Sequence, residues 1–163
     1  MILTASQALW LLPPVLPICL YVAWNDMRAM KIPNWSVIAL VGVFAVFGLI
    51  AFGVQDWAWR WSHLAVMLII GIVANAAGAM GAGDAKFIAA AAPFVAFGDA
   101  VMVMYILAGC TLAGFVVHRI ARHSPIRRMV PDWESWTTGK RFPMGLPLGT
   151  TLICYLAWPI VFG

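Results

Sequence analysis

Two acidic residues carry the main chemistry that this sequence offers. Asp84 lies inside a glycine-rich stretch of an apolar run, residues 64–97, whose only other formal charge is Lys86. A carboxylate at membrane depth is energetically costly, so its presence there indicates function. Asp26, the second acid, follows the first apolar segment. If both acids lie at the same edge of a bilayer, one can activate a water while the other protonates a departing amine, which is the chemistry of peptide cleavage.

The two acids are expected to divide the work between them. Two neighbouring carboxylates resist double ionisation, so the pair is predicted to share one proton near neutral pH. Asp84 lies near the start of its predicted helix, where the helix dipole favours an anion, whereas Asp26 follows the end of a predicted helix, where the dipole disfavours it. We therefore predict that Asp84 acts as the base and Asp26 as the acid.

Composition sets the class of protein. Hydrophobic residues make up 64% of the 163 residues, charged residues make up 10%, and the mean hydropathy is +0.94. These values are typical of a polytopic membrane protein and leave no room for a separate soluble domain. A span needs about 20 mainly apolar residues. We predict an all-α membrane helix bundle, a single domain over residues 1–163, with about six spans. The predicted spans are 8–24, 35–53, 64–80, 85–97, 100–117 and 142–162.

Basic residues predict the orientation of these spans, because loops rich in Lys and Arg stay in the cytoplasm. With six alternating spans, Arg60 falls on one side of the membrane and the other nine basic residues fall on the opposite side. Those nine are Arg28, Lys31, Lys86, Arg119, Arg122, Arg127, Arg128, Lys140 and Arg141. Both acids then lie at the cytoplasmic face, and both chain ends lie outside it.

The chain must reverse direction close to Asp84. Residues 64–97 would form a straight helix of about 50 Å, which is longer than the bilayer core of about 30 Å. The glycines between residues 78 and 83 offer the break. The arm that follows is short, so we expect the turn to dip into the membrane beside a small water-accessible pocket.

Three short segments resemble the motifs of the type IV prepilin peptidases. Residues 26–34 are similar to the D-x-R-x-x-x-I-P-N segment of that family, and residues 81–86 match its G-x-G-D-x-K segment. Pro143 and Gly145 are similar to the P-x-G element at the start of its last span. Order and spacing are preserved over most of the chain. Met144 departs from the family, which often has Tyr at that position.

The resemblance implies a GxGD-type intramembrane aspartyl protease with Asp26 and Asp84 as the catalytic pair. It implies supporting roles for Gly81, Gly83, Lys86, Arg28, Pro33, Asn34, Pro143 and Gly145. We also expect Lys86 to extend to lipid headgroups, because it lies two residues beyond Asp84 and on a different helix face. Contact between Lys86 and the catalytic pair is the alternative.

The same resemblance predicts the reaction and its setting. The short forms that serve tight-adherence (Flp) pili, the TadV/CpaA type, remove a prepilin leader at the cytoplasmic face of the bacterial inner membrane, just before the apolar helix of the pilin. The expected partners are a prepilin or pseudopilin and the membrane lipids, with no nucleic acid, no metal and no cofactor. Because the chain begins directly with a span, no methyltransferase domain is predicted.

Two other functions fit intramembrane acids. A small transporter or proton-conducting protein would place acids at mid-membrane with water access from both sides. A noncatalytic membrane subunit of a secretion or pilus assembly would tolerate Asn in place of either acid. Clustering of both acids at one face favours the peptidase.

Tryptophans are predicted to mark the membrane surface. Trp57, Trp59 and Trp61 lie beside Arg60 at a predicted span boundary and suggest an interfacial belt. Trp133 and Trp136 lie in the basic segment 119–141, which we expect along the anionic cytoplasmic leaflet.

Overall fold

Helices build the whole of the described protein. The computed structural model describes residues 2–137 and 142–163, and it contains no strand within them. The longer helices are α1 (Ala5–Ala29), α2 (Asn34–Val43), α3 (Leu49–Ala76), α4 (Ala82–Ala91), α5 (Ala100–Arg122), α6 (Ile126–Met129) and α7 (Gly145–Phe162). A π-helical stretch, Phe44–Gly48, joins α2 to α3, and short 3₁₀ turns occur at Ala92–Phe94, Phe97–Asp99 and Glu134–Trp136. The predicted all-α fold is confirmed.

The first helix is longer than its apolar segment. A capping box between Thr4 and Gln7 starts α1, and Met30 ends it in a left-handed conformation with φ 51°. The helix therefore continues past the predicted boundary at residue 24. Asp26 lies inside its last turn and does not follow the helix end, because the polar residues after the apolar segment stay helical.

The second long segment folds back on itself. Residues Asn34–Ala76 form a near-continuous helical segment of 43 residues, but Gly53 breaks it with φ 73° and ψ 167°. Beyond the break the chain reverses, so the Trp61 ring packs on the Phe44 ring with 5.2 Å between centroids. Along one straight helix these residues would lie about 25 Å apart. Residues 34–52 and 54–76 are therefore two antiparallel passes.

The arm after the glycine-rich turn is short. Helix α4 has 10 residues, or about 15 Å, and the two 3₁₀ turns that follow it lead to α5. Helices α3 and α4 pack closely where Gly71 faces Ala85, since a Cβ at Gly71 would lie 2.9 Å from the Ala85 Cβ. Asp84 is thereby held at the end of the bundle where α3 ends and α4 begins.

Helices α1 and α7 form the most extensive helix pair. Gly149 permits their close approach, because a Cβ there would lie 2.7 Å from the backbone oxygen of Cys19. The buried core around this pair includes Leu11, Val15, Phe44, Phe87, Phe94, Leu152 and Leu156.

Within residues 2–137 and 142–163, four helical segments are long and apolar enough to cross a membrane: Ala5–Ala29, Asn34–Ala76, Phe97–Arg122 and Gly145–Phe162. Because the second one reverses at Gly53, it accounts for both of the predicted spans 35–53 and 64–80. The predicted fourth span, 85–97, is the short α4 with its 3₁₀ turn. Two basic residues used in the orientation argument, Lys140 and Arg141, lie outside the described residues.

A buried polar cluster lies at the end of the bundle opposite Asp84. The guanidinium of Arg60 donates to the backbone oxygen of Pro93 at 3.0 Å. Asp99 accepts hydrogen bonds from the Ile2 backbone N–H at 2.9 Å and from the Tyr155 hydroxyl at 2.9 Å. Arg60 was predicted at a span boundary, but it lies inside α3 and is 8% exposed.

Most of the tryptophans predicted at the membrane surface pack into the protein. The Trp57 indole donates to the Phe44 backbone oxygen at 3.3 Å. Trp59 is the exception among the three tryptophans near Arg60, since it is 70% exposed. Positions 57 and 61 share one helix face, which the 3.6-residue period of a helix explains. Trp136 is 2% exposed, so its ring packs inside the protein.

Candidate active site

One cleft receives both acids. It has a volume of about 880 Å³ and lies at the end of the bundle where α1 ends and α4 begins. Its walls come from the last turn of α1, the α1–α2 connection, the glycine-rich turn before α4, and the residues that precede α7. Asp26 and Asp84 therefore come from separate helices and face the same space.

Asp26 is held by the start of α7. Its side chain is 5% exposed, and its Oδ2 atom accepts a hydrogen bond of 2.6 Å from the backbone N–H of Gly145. A Cβ at Gly145 would lie 2.7 Å from the Asp26 Cβ, so this approach requires glycine. The N-terminus of α7 favours the charge of Asp26, whereas the burial of its side chain disfavours that charge. Asp26 therefore feels a second helix end besides the end of α1, and the sequence did not reveal this contact.

Asp84 lies in the first turn of α4, as predicted. Its side chain is half-buried, and burial raises the pKa of Asp84 above its ordinary value, with a partial offset from the hydrogen bond of the Gly81 backbone amide. A Cβ at Gly81 would lie 2.8 Å from Asp84 Oδ2. Gly81 therefore leaves the space that this carboxylate occupies.

The two acids interact through their charges. The negative charge of Asp84 acts on Asp26, so the carboxylates are within electrostatic range of each other. Asp84 is more open to solvent than Asp26. Water therefore reaches the pair from the Asp84 side of the cleft.

A hydrogen bond joins the two motif segments across the cleft. The Lys86 Nζ atom donates to the Asn34 Oδ1 atom at 3.1 Å, and both residues line the cleft. Lys86 was predicted to extend to headgroups on its own. Its contact with Asn34, the first residue of α2, instead ties the start of α4 to the start of α2.

The remaining predicted supporting residues divide into two groups. Gly83 and Pro143 line the cleft. Arg28 and Pro33 do not line it: the Arg28 guanidinium lies 5.2 Å from the centre of the Trp24 ring, and the Pro33 backbone oxygen accepts a 2.7 Å hydrogen bond from the Ser36 hydroxyl at the start of α2.

Glu134 is a cleft residue that the sequence analysis did not identify. It lies on the 3₁₀ turn Glu134–Trp136, which is anchored by the buried Trp136 ring stacked on the ring of His118 at 5.0 Å. Glu134 belongs to no sequence motif, and the packing of Trp136 brings it to the cleft. Its acidic side chain, in the segment between α5 and α7, was the one feature of the sequence that could have indicated a role.

A metal ion needs several donor side chains close together. Across residues 2–137 and 142–163, no group of three or more His, Cys, Asp or Glu side chains is arranged to hold a metal ion. The ionisable side chains that line the cleft are Asp26, Lys31, Asp84, Lys86 and Glu134.

Comparison with known proteins identifies the family to which this chain belongs. A sequence model described as the type IV leader peptidase family matches residues 15–117. The chain belongs to the type IV leader peptidase family. The match takes in Asp26, Asn34, Asp84 and Lys86, and it ends before Gly145. No curated protein matches the chain, and no solved structure matches it.

Family membership and fold agree with each other. Type IV leader peptidases are membrane aspartyl proteases, and this chain has several apolar helices long enough to span a membrane. The protein is therefore assigned to the membrane peptidases. Phe142, Pro143 and Met144 line the cleft beyond the matched region, and the Gly145 amide bonds Asp26 there.

Proposed function

We propose that this peptidase is an aspartic endopeptidase that removes the leader from Flp-type prepilins or pseudopilins at the cytoplasmic face of the inner membrane. One observation carries the proposal: Asp26 of α1 and Asp84 of α4 line a single cleft and interact through their charges. The motif resemblance to the short TadV/CpaA type supports the choice of substrate. No second protein is needed to complete the acid pair.

The geometry supports a division of labour. Asp84, which solvent reaches, binds the attacking water and accepts its proton as the oxygen attacks the scissile carbonyl carbon. Asp26, held by the Gly145 amide at 2.6 Å, donates a proton to the amide nitrogen as the C–N bond breaks. Products are a carboxylic acid and an amine, and transfer of a proton from Asp84 to Asp26 restores the starting state.

The charge distribution supports a cytoplasmic cleft. Lys31 and Lys86 line it, and α5 ends at Arg119 and Arg122 toward the same end of the bundle. Arg60 lies at the opposite end. Since basic residues are retained in the cytoplasm, this arrangement puts the cleft on the side where a leader peptide is exposed before pilin assembly.

A transporter fits less well. Two buried charged residues, Arg60 and Asp99, lie at the opposite end of the bundle. Both bond to protein groups: Arg60 donates to the backbone oxygens of Pro93 and Phe94, and Asp99 accepts from the Tyr155 hydroxyl. Groups bonded in this way stabilise the bundle, whereas a transport path requires groups that bind and release an ion.

The test is co-expression of the chain with a candidate Flp prepilin and measurement of leader removal. Asp26→Asn and Asp84→Asn are each expected to abolish processing while the protein remains in the membrane. Asp56→Asn, which changes an exposed carboxylate of α3, is the matched control and should process normally. A chelator should leave the rate unchanged. Processing by the double Asn variant would disprove the aspartic mechanism and favour a noncatalytic subunit.

A further inference from the structure

A second concave surface lies along α5. This groove has a volume of about 520 Å³, and its walls include Met104, Leu107, Ala108, Leu112, Phe115 and Phe142. The members on α5 recur every three or four residues, which is the spacing of one helix face. The groove therefore follows the axis of α5 for about 17 Å. Thr111 shares this face, and its hydroxyl donates to the Leu107 backbone oxygen at 2.7 Å, so the groove stays apolar.

The groove and the catalytic cleft share a wall. Phe142 lines both of them. Its ring packs against the Phe115 ring with 5.9 Å between centroids. Gly114 lies against the same ring, since a Cβ there would be in van der Waals contact with the Phe142 Cζ atom at 3.4 Å. An apolar surface on the side of the bundle is thus continuous with the space that contains the acids.

Helix α5 is the least covered of the long apolar helices. In its most apolar window no residue is buried inside the protein, whereas half of the corresponding window of α7 is buried. A membrane helix exposed in this way is covered by lipid or by another helix. Lipid alone would account for the exposure but not for the continuity with the cleft.

We propose that the groove binds the apolar helix of the prepilin substrate. The inference rests on the proposed leader peptidase function and specifies how that substrate is held. The scissile bond directly precedes the apolar helix, so a helix lying along α5 with its cleaved end at Phe142 presents that bond to Asp26 and Asp84. Ala108 allows close approach of the two helices, as small residues do in membranes. Holding the bond in place in this way lowers the barrier to reaction.

A bulky substitution tests the groove. Ala108→Trp fills it, while Gly109→Trp adds the same side chain one position further, where a Cβ meets nothing within 4 Å. Two substrates distinguish an effect on the groove from an effect on the catalytic cleft. One is full-length prepilin in membranes, and the other is a soluble peptide that spans the leader junction but lacks the apolar helix. Ala108→Trp should raise the KM for full-length prepilin about tenfold, or about 1.4 kcal/mol, and cleave the peptide normally. Gly109→Trp should cleave both substrates normally.

A crosslinking experiment tests substrate binding in the groove without requiring cleavage. A photoreactive amino acid at Leu112 of the Asp84→Asn enzyme should crosslink to the prepilin helix, and the same probe at Ile69, an exposed residue of α3, should not. An unchanged KM for Ala108→Trp would assign the groove to lipid and overturn the proposal. Equal losses on both substrates, or a crosslink to a second copy of this chain, would overturn it as well. If the intact enzyme cleaves neither substrate, the proposed function itself is wrong.

Discussion

Each carboxylate of the candidate pair lies next to a glycine amide. Gly145 donates to Asp26, and the Gly81 amide bonds Asp84. In both places a Cβ would come within 2.8 Å of the acidic side chain. The glycines of the two motifs therefore provide space beside a carboxylate. They are not needed here for unusual backbone angles, since Gly81 has φ −66°.

Gly145→Ala tests this steric requirement. The added methyl group would lie 2.7 Å from the Asp26 Cβ and 3.0 Å from its carboxyl carbon, so Asp26 or the start of α7 must shift. A shift of about 1 Å at a catalytic group can lower the rate about 100-fold. We expect a loss of that order in kcat for leader cleavage. Gly109→Ala, in open surroundings on α5, should cleave at the normal rate. Normal kcat for Gly145→Ala would show that Asp26 does not require its present position.

The pH dependence of cleavage should reflect Asp84. Burial raises its pKa, and the Gly81 amide offsets part of the rise. A base must be ionised, so activity should fall as pH drops through this raised pKa, at a higher pH than for an ordinary aspartate. The measurement is kcat/KM for the soluble junction peptide against pH. An acid limb at the pH of a free aspartate would contradict the assignment of Asp84 as base.

The same pKa shift has a consequence for stability. An acid whose pKa is raised in the folded state stabilises the fold below its unfolded pKa, and this stabilisation is lost as pH rises through the folded pKa. Asp84→Asn should therefore raise the thermal midpoint in detergent at neutral pH, and the difference should shrink in acid. The catalytic base Asp84 is then expected to lower the stability of the protein at the pH where it works.

At the scale of elements, one hydrogen bond connects the two halves of the cleft. The Lys86 ammonium on α4 donates to the Asn34 side chain at the start of α2. Removing such a bond typically changes the free energy by about 0.5–1.5 kcal/mol. We expect Lys86→Met and Asn34→Ala each to lower kcat/KM by up to about tenfold. The double variant should lose no more than either single variant.

Lys31→Met is the matched control for this cycle. It removes an equal charge from the same cleft and leaves the bond between Lys86 and Asn34 in place. A small effect of this control, with strong coupling between Lys86 and Asn34, would assign the role to the hydrogen bond. Additive losses in the double variant would instead show that the two side chains act independently.

Apolar runs predicted the existence of the helices better than their ends. Asp26 lies within α1 because polar residues can continue a helix once it has started. The predicted end at residue 24 marks the end of the apolar run and not the end of the helix. Residues 54–63 are helical for the same reason, although Trp57 and Arg60 suggested a boundary. Gly53, in contrast, was the predicted end of a span and is the residue at which the chain reverses.

At the scale of the whole molecule, charge and motif order were enough to bring Asp26 and Asp84 to one end of the bundle. The partners of Arg60 and Asp99 could not be read from the sequence, because they include backbone atoms of Ile2 and Pro93, which any residue type would supply. Glu134 likewise depends on how Trp136 packs. Contacts made through backbone atoms or distant packing leave no pattern in a single sequence.

The polar cluster opposite the cleft should stabilise the bundle without taking part in cleavage. Buried Tyr155 donates to Asp99 at 2.9 Å and accepts from the Ala96 backbone N–H at 3.1 Å. Tyr155→Phe removes the partner of the buried Ala96 N–H, which typically lowers the free energy of unfolding by about 1–3 kcal/mol. Asp99 loses one hydrogen bond and keeps those from the backbone N–H groups of Ile2 and Leu3. Unfolding in detergent should show this loss, whereas kcat for the junction peptide should be unchanged. Tyr105→Phe, on an exposed position of α5, should alter neither quantity. A fall in kcat for Tyr155→Phe at unchanged stability would show instead that the two ends of the bundle are coupled during cleavage.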